Sequence, residues 1–186
     1  WIDFVEQGVA EMSSHCDNVY VVGISMGSVL ALHLSSLFPL NAVVFGATVL
    51  KFKDYFGTRV MTPILHKVVT TREKRLSYPK NIRDTYKYYG YPVWPMSAVN
   101  EMRKLTNKVR KELHLVNTPA LIIHSKQDKL QLPSNTQLVY NSISSEIKEK
   151  LIAEQAGHNL FVSSPDQDMI FQKVASFFNQ FQNHKN

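Results

Sequence analysis

Three side chains of complementary chemistry stand out in the chain: Ser25, Asp128 and His158. A serine hydroxyl is a poor nucleophile until a base takes its proton. Imidazole can do this near neutral pH, and a carboxylate fixes its tautomer and stabilises the imidazolium that forms. Their order along the chain is Ser, Asp, His. Ser25 lies in Gly23-Ile24-Ser25-Met26-Gly27, a G-x-S-x-G pattern. The pattern carries chemistry where a strand runs in and a helix runs out, because the turn between them lifts the hydroxyl above the sheet. Such a turn is sharp, so its flanking positions must be small, and Gly23 and Gly27 meet that demand. The Met26 backbone N–H, at the start of the helix, is then one oxyanion donor.

The surrounding sequence supplies the elements this requires. Residues 19–24 are a nearly continuous apolar run, expected to be a strand buried on both faces of a parallel sheet. Residues 26–37 have helical character and stop before Pro39. Residues 41–48 and 120–125 read as two more buried strands, and 150–154 as a fourth, short one. Ile2, Val5, Val9 and Met12 predict a helix over 1–14, and a helix is expected from Ser134 to about Ile143. A last helix starts at Pro165 or Asp166, with Ile170, Val174, Phe177, Phe178 and Phe181 on its apolar side. Strands alternating with helices at this spacing predict an α/β fold, a parallel sheet with helices on both faces. Ligand sites gather at the carboxyl ends of such strands. Ser25 follows the first strand, Asp128 the third and His158 the fourth.

Other residues of the same types fit less well. Asp166 and Asp168 come after His158, which breaks the order, and His15 precedes the serine. His124 lies inside a strand and reads as a core histidine, and His33 is mid-helix. His66 and His114 fall in a segment of different character, and His184 in the tail. That segment, 50–117, is basic, shows no clean strand and looks inserted into the alternating pattern. It holds an aromatic run, Y-K-Y-Y-G-Y-P-V-W-P, from Tyr86 to Pro95. It also holds a helical stripe of Ala98, Met102, Leu105, Val109 and Leu113, expected to be a packing face. The domain reading is a core made of 1–49 and 118–186, interrupted by 50–117.

Composition narrows the class. With 186 residues and 44% hydrophobic side chains, the chain can bury one good core. No apolar run approaches the ~20 residues that cross a bilayer. Cys16 is the single cysteine, so no internal disulfide is expected, and the location expected is cytoplasmic. The net charge of +6 is uneven: residues 49–117 carry 15 Lys and Arg against 5 Asp and Glu. No zinc-finger, RNP-like or Gly-rich phosphate motif accompanies that charge, so nucleic acid is not an expected partner. Neither H-E-x-x-H nor C-x-x-C occurs, and neither metal nor cofactor is expected.

Three stretches resemble the α/β-hydrolases, and more narrowly the small carboxylesterase and monoacylglycerol-lipase group. They are V-V-G-I-S-M-G-S from Val21, P-A-L-I-I-H-S-K-Q-D from Pro119, and G-H-N around His158. The resemblance implies an α/β-hydrolase fold and ester hydrolysis, with Ser25 attacking, His158 as base then acid, and Asp128 orienting it. It implies that 50–117 is a helical cap or lid supplying an apolar acyl pocket. The expected partner is then a small-molecule ester with an apolar acyl group. Weak association of the basic cap with anionic lipid surfaces is a further expectation. A thioesterase or acyltransferase would use the same triad, and a non-catalytic hydrolase-fold fragment is a third reading. These enzymes have several strands before the elbow and draw a second oxyanion donor from a loop there, and no such strands precede Ser25 here. The expectation is therefore a C-terminal portion whose further partner is the missing N-terminal segment of the same protein. Its sheet would have an unpaired edge. Alone, it would be weakly active, since one lost oxyanion donor costs ~10²–10³ in kcat.

Overall fold

The computed structural model describes residues 1–74, 84, 91–162 and 164–182. Tyr86, Tyr88 and Tyr89 of the aromatic run, and His184, lie outside the described residues. The chain divides into two compact units, Trp1–Lys53 with Thr106–Asn186, and Asp54–Leu105.

The first unit is built on four parallel strands in the order β1-β2-β5-β6. They are β1 (Tyr20–Ile24), β2 (Ala42–Gly46), β5 (Ala120–Ser125) and β6 (Lys148–Ala153). Parallel strands need crossovers, and helices supply them. α2 (Met26–Leu37) links β1 to β2, and α5 (Ser134–Ser142) links β5 to β6. α1 (Ile2–His15) precedes the sheet and α6 (Gln167–Asn179) follows it. Alternation along the strands sends Ala42, Val44, Leu121, Ile123 and Ala153 to one face, where Ile170, Val174 and Phe177 of α6 complete the core. Val9 of α1 and Leu34 of α2 pack with Leu40 on the other face, against Val19 and Val21.

β2 and β5 are wholly buried, as their unbroken apolar runs predict. β1 departs from its expectation of burial on both faces. It is one of the two outer strands of the described sheet, and Val22 is 47% exposed. An apolar run alone does not say whether a strand will have neighbours on both sides.

The second unit holds a π-helical turn (Gly57–Met61), α3 (Thr62–Leu65) and an antiparallel pair, β3 (Thr71–Glu73) with β4 (Val93–Pro95). The pair adds two short strands to a segment that shows no clean strand in its sequence. Each strand is three residues long, too short for period-two alternation to show. Lys74 Nζ sits 4.3 Å over the Trp94 ring and adds a cation–π contact beside the pair. Asp54 Oδ1 accepts the Gly57 N–H at 2.8 Å, which starts the π-helical turn. α4 (Met96–Glu112) begins in this unit and ends in the first, where Val109 is buried as the stripe predicts.

His33, mid-way along α2, is 1% exposed and lies within a charged knot of the first unit. Its Nε2 is 2.7 Å from Glu6 Oε1 of α1. Its Nδ1 is 3.2 Å from Glu112 Oε2 and also 3.2 Å from Lys108 Nζ, both on α4. Lys108 Nζ donates to Glu112 Oε1 at 2.6 Å. Burial pushes the Glu112 carboxyl up, but hydrogen bonds and charge from Lys108 and His33 outweigh it and hold the carboxyl below its ordinary value. A carboxyl depressed in the folded state adds stability above its unfolded value, and that stability is lost as pH falls through the folded value. We expect Glu112→Gln to be less stable than the wild type at pH 7 by about 1–3 kcal/mol. The gap should narrow as pH falls below the ordinary glutamate value, where the unfolded chain takes up its proton, and close as pH falls through the lower folded value. Urea unfolding of both proteins from neutral to acidic pH measures it, and a gap that widens in acid would contradict the assignment.

Candidate active site

Strand register brings the candidate residues to one edge. Ile24 pairs with Gly46, Gly46 with Ile123, and Ser125 with Ala153, so the carboxyl ends of all four strands lie side by side. One further backbone bond locks each exit. Ser25 N–H donates to Gly46 C=O, Ala47 N–H to Ile123 C=O, and Lys126 N–H to Ala153 C=O, each at 2.9 Å.

Ser25 is the single residue between β1 and α2. Its backbone has φ 55° and ψ −115°, a conformation that L residues other than glycine rarely adopt. Strain of this kind costs about 1–3 kcal/mol and must be held in place by its surroundings. Gly23 does part of the holding. A Cβ there would lie 2.3 Å from Gly27 O and 2.7 Å from Ser28 Cα, so only glycine lets strand and helix approach this closely. The two glycines are not equivalent, although the G-x-S-x-G pattern predicts that both positions must be small. A Cβ on Gly27 would meet no described atom within 4 Å. Inside the helix's first turn, Ser28 Oγ and Thr48 Oγ1 share a buried hydrogen bond of 2.6 Å, tying α2 to the exit of β2. Met26 opens α2, so its N–H is among the donors a helix leaves without an internal partner.

Asp128 follows β5 and His158 follows β6, and the structure joins them. His158 Nδ1 lies 2.9 Å from Asp128 Oδ2, with the Asp128 side chain fully buried and that of His158 nearly so. The other Asp128 oxygen accepts the N–H groups of Leu130 at 2.8 Å and Gln131 at 2.9 Å. Burial pushes the Asp128 carboxyl up, but these hydrogen bonds and the nearby imidazole win and hold it below its ordinary value. It is therefore a carboxylate at neutral pH, able to accept from Nδ1 and leave Nε2 for another partner. Ser25 is placed at the same edge, but among the described residues its Oγ makes no hydrogen bond to His158.

The other candidates fall elsewhere. His124 is buried within β5, and among the described residues neither of its ring nitrogens has a hydrogen-bond partner. Burial holds it below its ordinary value, as expected of an uncharged core imidazole. His33 belongs to the charged knot, and His15 bonds within its own helix. Among the described residues, no cluster of three or more His, Cys, Asp or Glu could hold a metal ion. Two residues given no role by pattern reading touch the base's loop: Ser125 and Asp166. Asp166 has the right chemistry for a candidate acid, but its carboxylate is taken up by backbone N–H groups. No local motif marks such a role.

Residues 2–165 match the family described as Serine aminopeptidase, S33. The chain belongs to this family. Its fold, a parallel sheet with flanking helices, is that of the α/β-hydrolases. It is 24% identical over 195 residues to the thermostable monoacylglycerol lipase of Bacillus sp. (strain H-257), covering 96% of this chain and 69% of that protein. Among solved structures it is similar to one from LipS and LipT, two metagenome-derived lipolytic enzymes. There the TM-score is 0.82 at 23% identity, covering 97% of this chain and 72% of that one. It is also similar to a soluble variant of monoglyceride lipase from Saccharomyces cerevisiae, with a TM-score of 0.75 at 13% identity, covering 99% and 69%. At such identities a structural likeness speaks to the fold. Among the described residues, no helix of this family member is long and apolar enough to cross a membrane.

The unequal glycines give a direct test. Gly23→Ala should lose about 3 kcal/mol of stability through overpacking against Gly27 and Ser28. Gly27→Ala should be neutral or more stable by up to about 1 kcal/mol, because alanine is the better helix former. Chemical denaturation of the two variants settles it, and equal losses would refute the difference.

Proposed function

We propose that this protein is a serine hydrolase cleaving carboxylic esters, of carboxylesterase or monoacylglycerol lipase type, through Ser25, His158 and Asp128. The observation that carries the reading is the 2.9 Å hydrogen bond between His158 and Asp128, at the sheet edge where Ser25 sits in a strained turn. A bonded acid and base with no nucleophile at that edge would have no evident use. A strained serine with no base beside it would have no activation.

In the proposed reaction His158 Nε2 takes the Ser25 proton as Oγ attacks the ester carbonyl. The carbonyl oxygen becomes an oxyanion, and the Met26 N–H and the positive end of α2 stabilise it. The tetrahedral intermediate collapses to an acyl-enzyme on Ser25, and the alcohol leaves with the proton from His158. Water then attacks with His158 again as base, releasing the acid and restoring the hydroxyl. Asp128 keeps Nδ1 protonated throughout and stabilises the imidazolium; its depressed pKa suits that role. We read residues 50–117 as the helical cap and an ester with an apolar acyl group as the substrate. The lipolytic character of the relatives supports this.

A fluorophosphonate probe should label the protein at Ser25, read by peptide mass spectrometry. Ser25→Ala should abolish the labelling and lower kcat on p-nitrophenyl butyrate by about 10⁴-fold or more. Undiminished labelling of Ser25→Ala, or labelling at another residue alone, would sink the assignment.

A further inference from the structure

The last shared backbone bond between β5 and β6 is Lys126 N–H to Ala153 C=O. Beyond it the strands part into two loops, one carrying Asp128 and the other His158. The two side chains still meet at 2.9 Å, though the ladder no longer holds their loops together.

Side chains take over at that point. Ser125, the last residue of β5, is wholly buried. Its hydroxyl donates to Ala156 C=O in the base's loop and accepts the Gln127 N–H at 3.0 Å in the acid's loop. From the other side, Asp166 Oδ2 accepts the N–H groups of Gln155 at 2.6 Å and Ala156 at 2.9 Å. Ala156 is thus gripped at both polar atoms, its N–H by a carboxylate and its C=O by a hydroxyl. Gln127 immediately precedes the acid, and Ala156 stands two residues before the base. Asp166 is itself held at the N-cap position of α6, where its backbone C=O accepts the Ile170 N–H at 2.9 Å, and Ile170, Val174 and Phe177 of that helix lie in the core. The Lys126–Glu154 ion pair also spans the gap, at 2.7 Å, but both side chains are exposed and such pairs contribute little.

We propose that Ser125 and Asp166 are positioning residues, a buried brace that sets Asp128 and His158 against each other through Ala156. The effect on turnover rests on the triad reading above, whereas the brace is a property of the resting protein. Charge-assisted bonds to backbone N–H groups make the Asp166 side the stiffer half. The Ser125 hydroxyl, donating to one loop and accepting from the other, couples them.

The test compares Ser125→Ala and Asp166→Ala with the wild type and with Ser145→Ala. Ser145 is also a buried serine; it donates to the carbonyls of Val116 and Thr118, before the start of β5. In Ser125→Ala and Asp166→Ala, kcat on p-nitrophenyl butyrate should fall about 10–100-fold with KM nearly unchanged, the scale expected of a small misplacement. Ser145→Ala should keep wild-type kcat. Ser125→Thr and Asp166→Asn, which retain a hydroxyl and an acceptor oxygen, should recover most of the loss. In the resting protein, the downfield proton resonance of the His158 Nδ1–H held by Asp128 should broaden or shift in the two alanine variants and not in Ser145→Ala. Wild-type kcat and an unmoved resonance in both variants overturn the proposal. An equal loss of kcat in Ser145→Ala overturns it too, by assigning the effect to stability. If the wild type turns over no ester, the triad reading falls, and a resonance lost in the two variants still supports the brace. Should Ser125→Ala fail to fold, Asp166→Asn against Asp166→Ala carries the same comparison.

Discussion

At Gly23 the backbone of β1 runs so close to the first turn of α2 that no side-chain atom fits between them. That contact decides how abruptly the chain can reverse. With it, one residue is enough to pass from strand to helix, and that residue is forced into a left-handed conformation. A looser contact would need a longer turn. The serine would then drop its anchoring bond to Gly46, and Met26 would no longer stand next to it at the start of a helix. The direction of α2, and hence the burial of His33 two turns along it, follows from the same close approach.

The three candidate residues are held by different means according to their distance from the sheet. Ser25 directly follows its strand and needs one ladder-type bond. Asp128 is a few residues out, and backbone N–H groups of its own loop hold its carboxylate. His158 is farther out, and its loop is secured by two other side chains and by Asp128 itself. Rigidity provided by the sheet at one end is provided by side-chain hydrogen bonds at the other. A site drawn from several loops can keep its geometry in this way.

Much of this was legible in the sequence because the first unit obeys period rules. The run 120–125 is β5 to the residue, and 26–37 is α2 to the residue. Leu105 and Val109 of the apolar stripe on α4 are buried as its spacing requires. The order of Ser25, Asp128 and His158, read with the strands, placed all three at one edge, because parallel strands in register end together. What escaped was non-local or too short to repeat. The exposure of Val22 depends on which strand is outermost, a property of the sheet and not of the segment. β3 and β4 have three residues each. Asp166 read as a discarded acid because its partners, Gln155 and Ala156, are backbone groups with no residue-type signature. The knot at His33 draws Glu6 and Glu112 from distant parts of the chain, and an isolated histidine in a helix gives no hint of either.

The pairing of Val43 with Ala120 closes a loop that contains the whole second unit. β1 with β2, and β5 with β6, are joined by short crossovers, so each half of the sheet is built from contacts near in sequence. The β2–β5 seam is the one place in the sheet where the ends of a long excursion must find each other. The entropy lost there rises only with the logarithm of the excursion's length, about 0.6 kcal/mol for each doubling. A much longer or shorter segment between these strands would leave the seam's free energy nearly the same. The fold is therefore permissive to exchange at this point, and the second unit can change in length while the parallel strands that carry Ser25, Asp128 and His158 still pair.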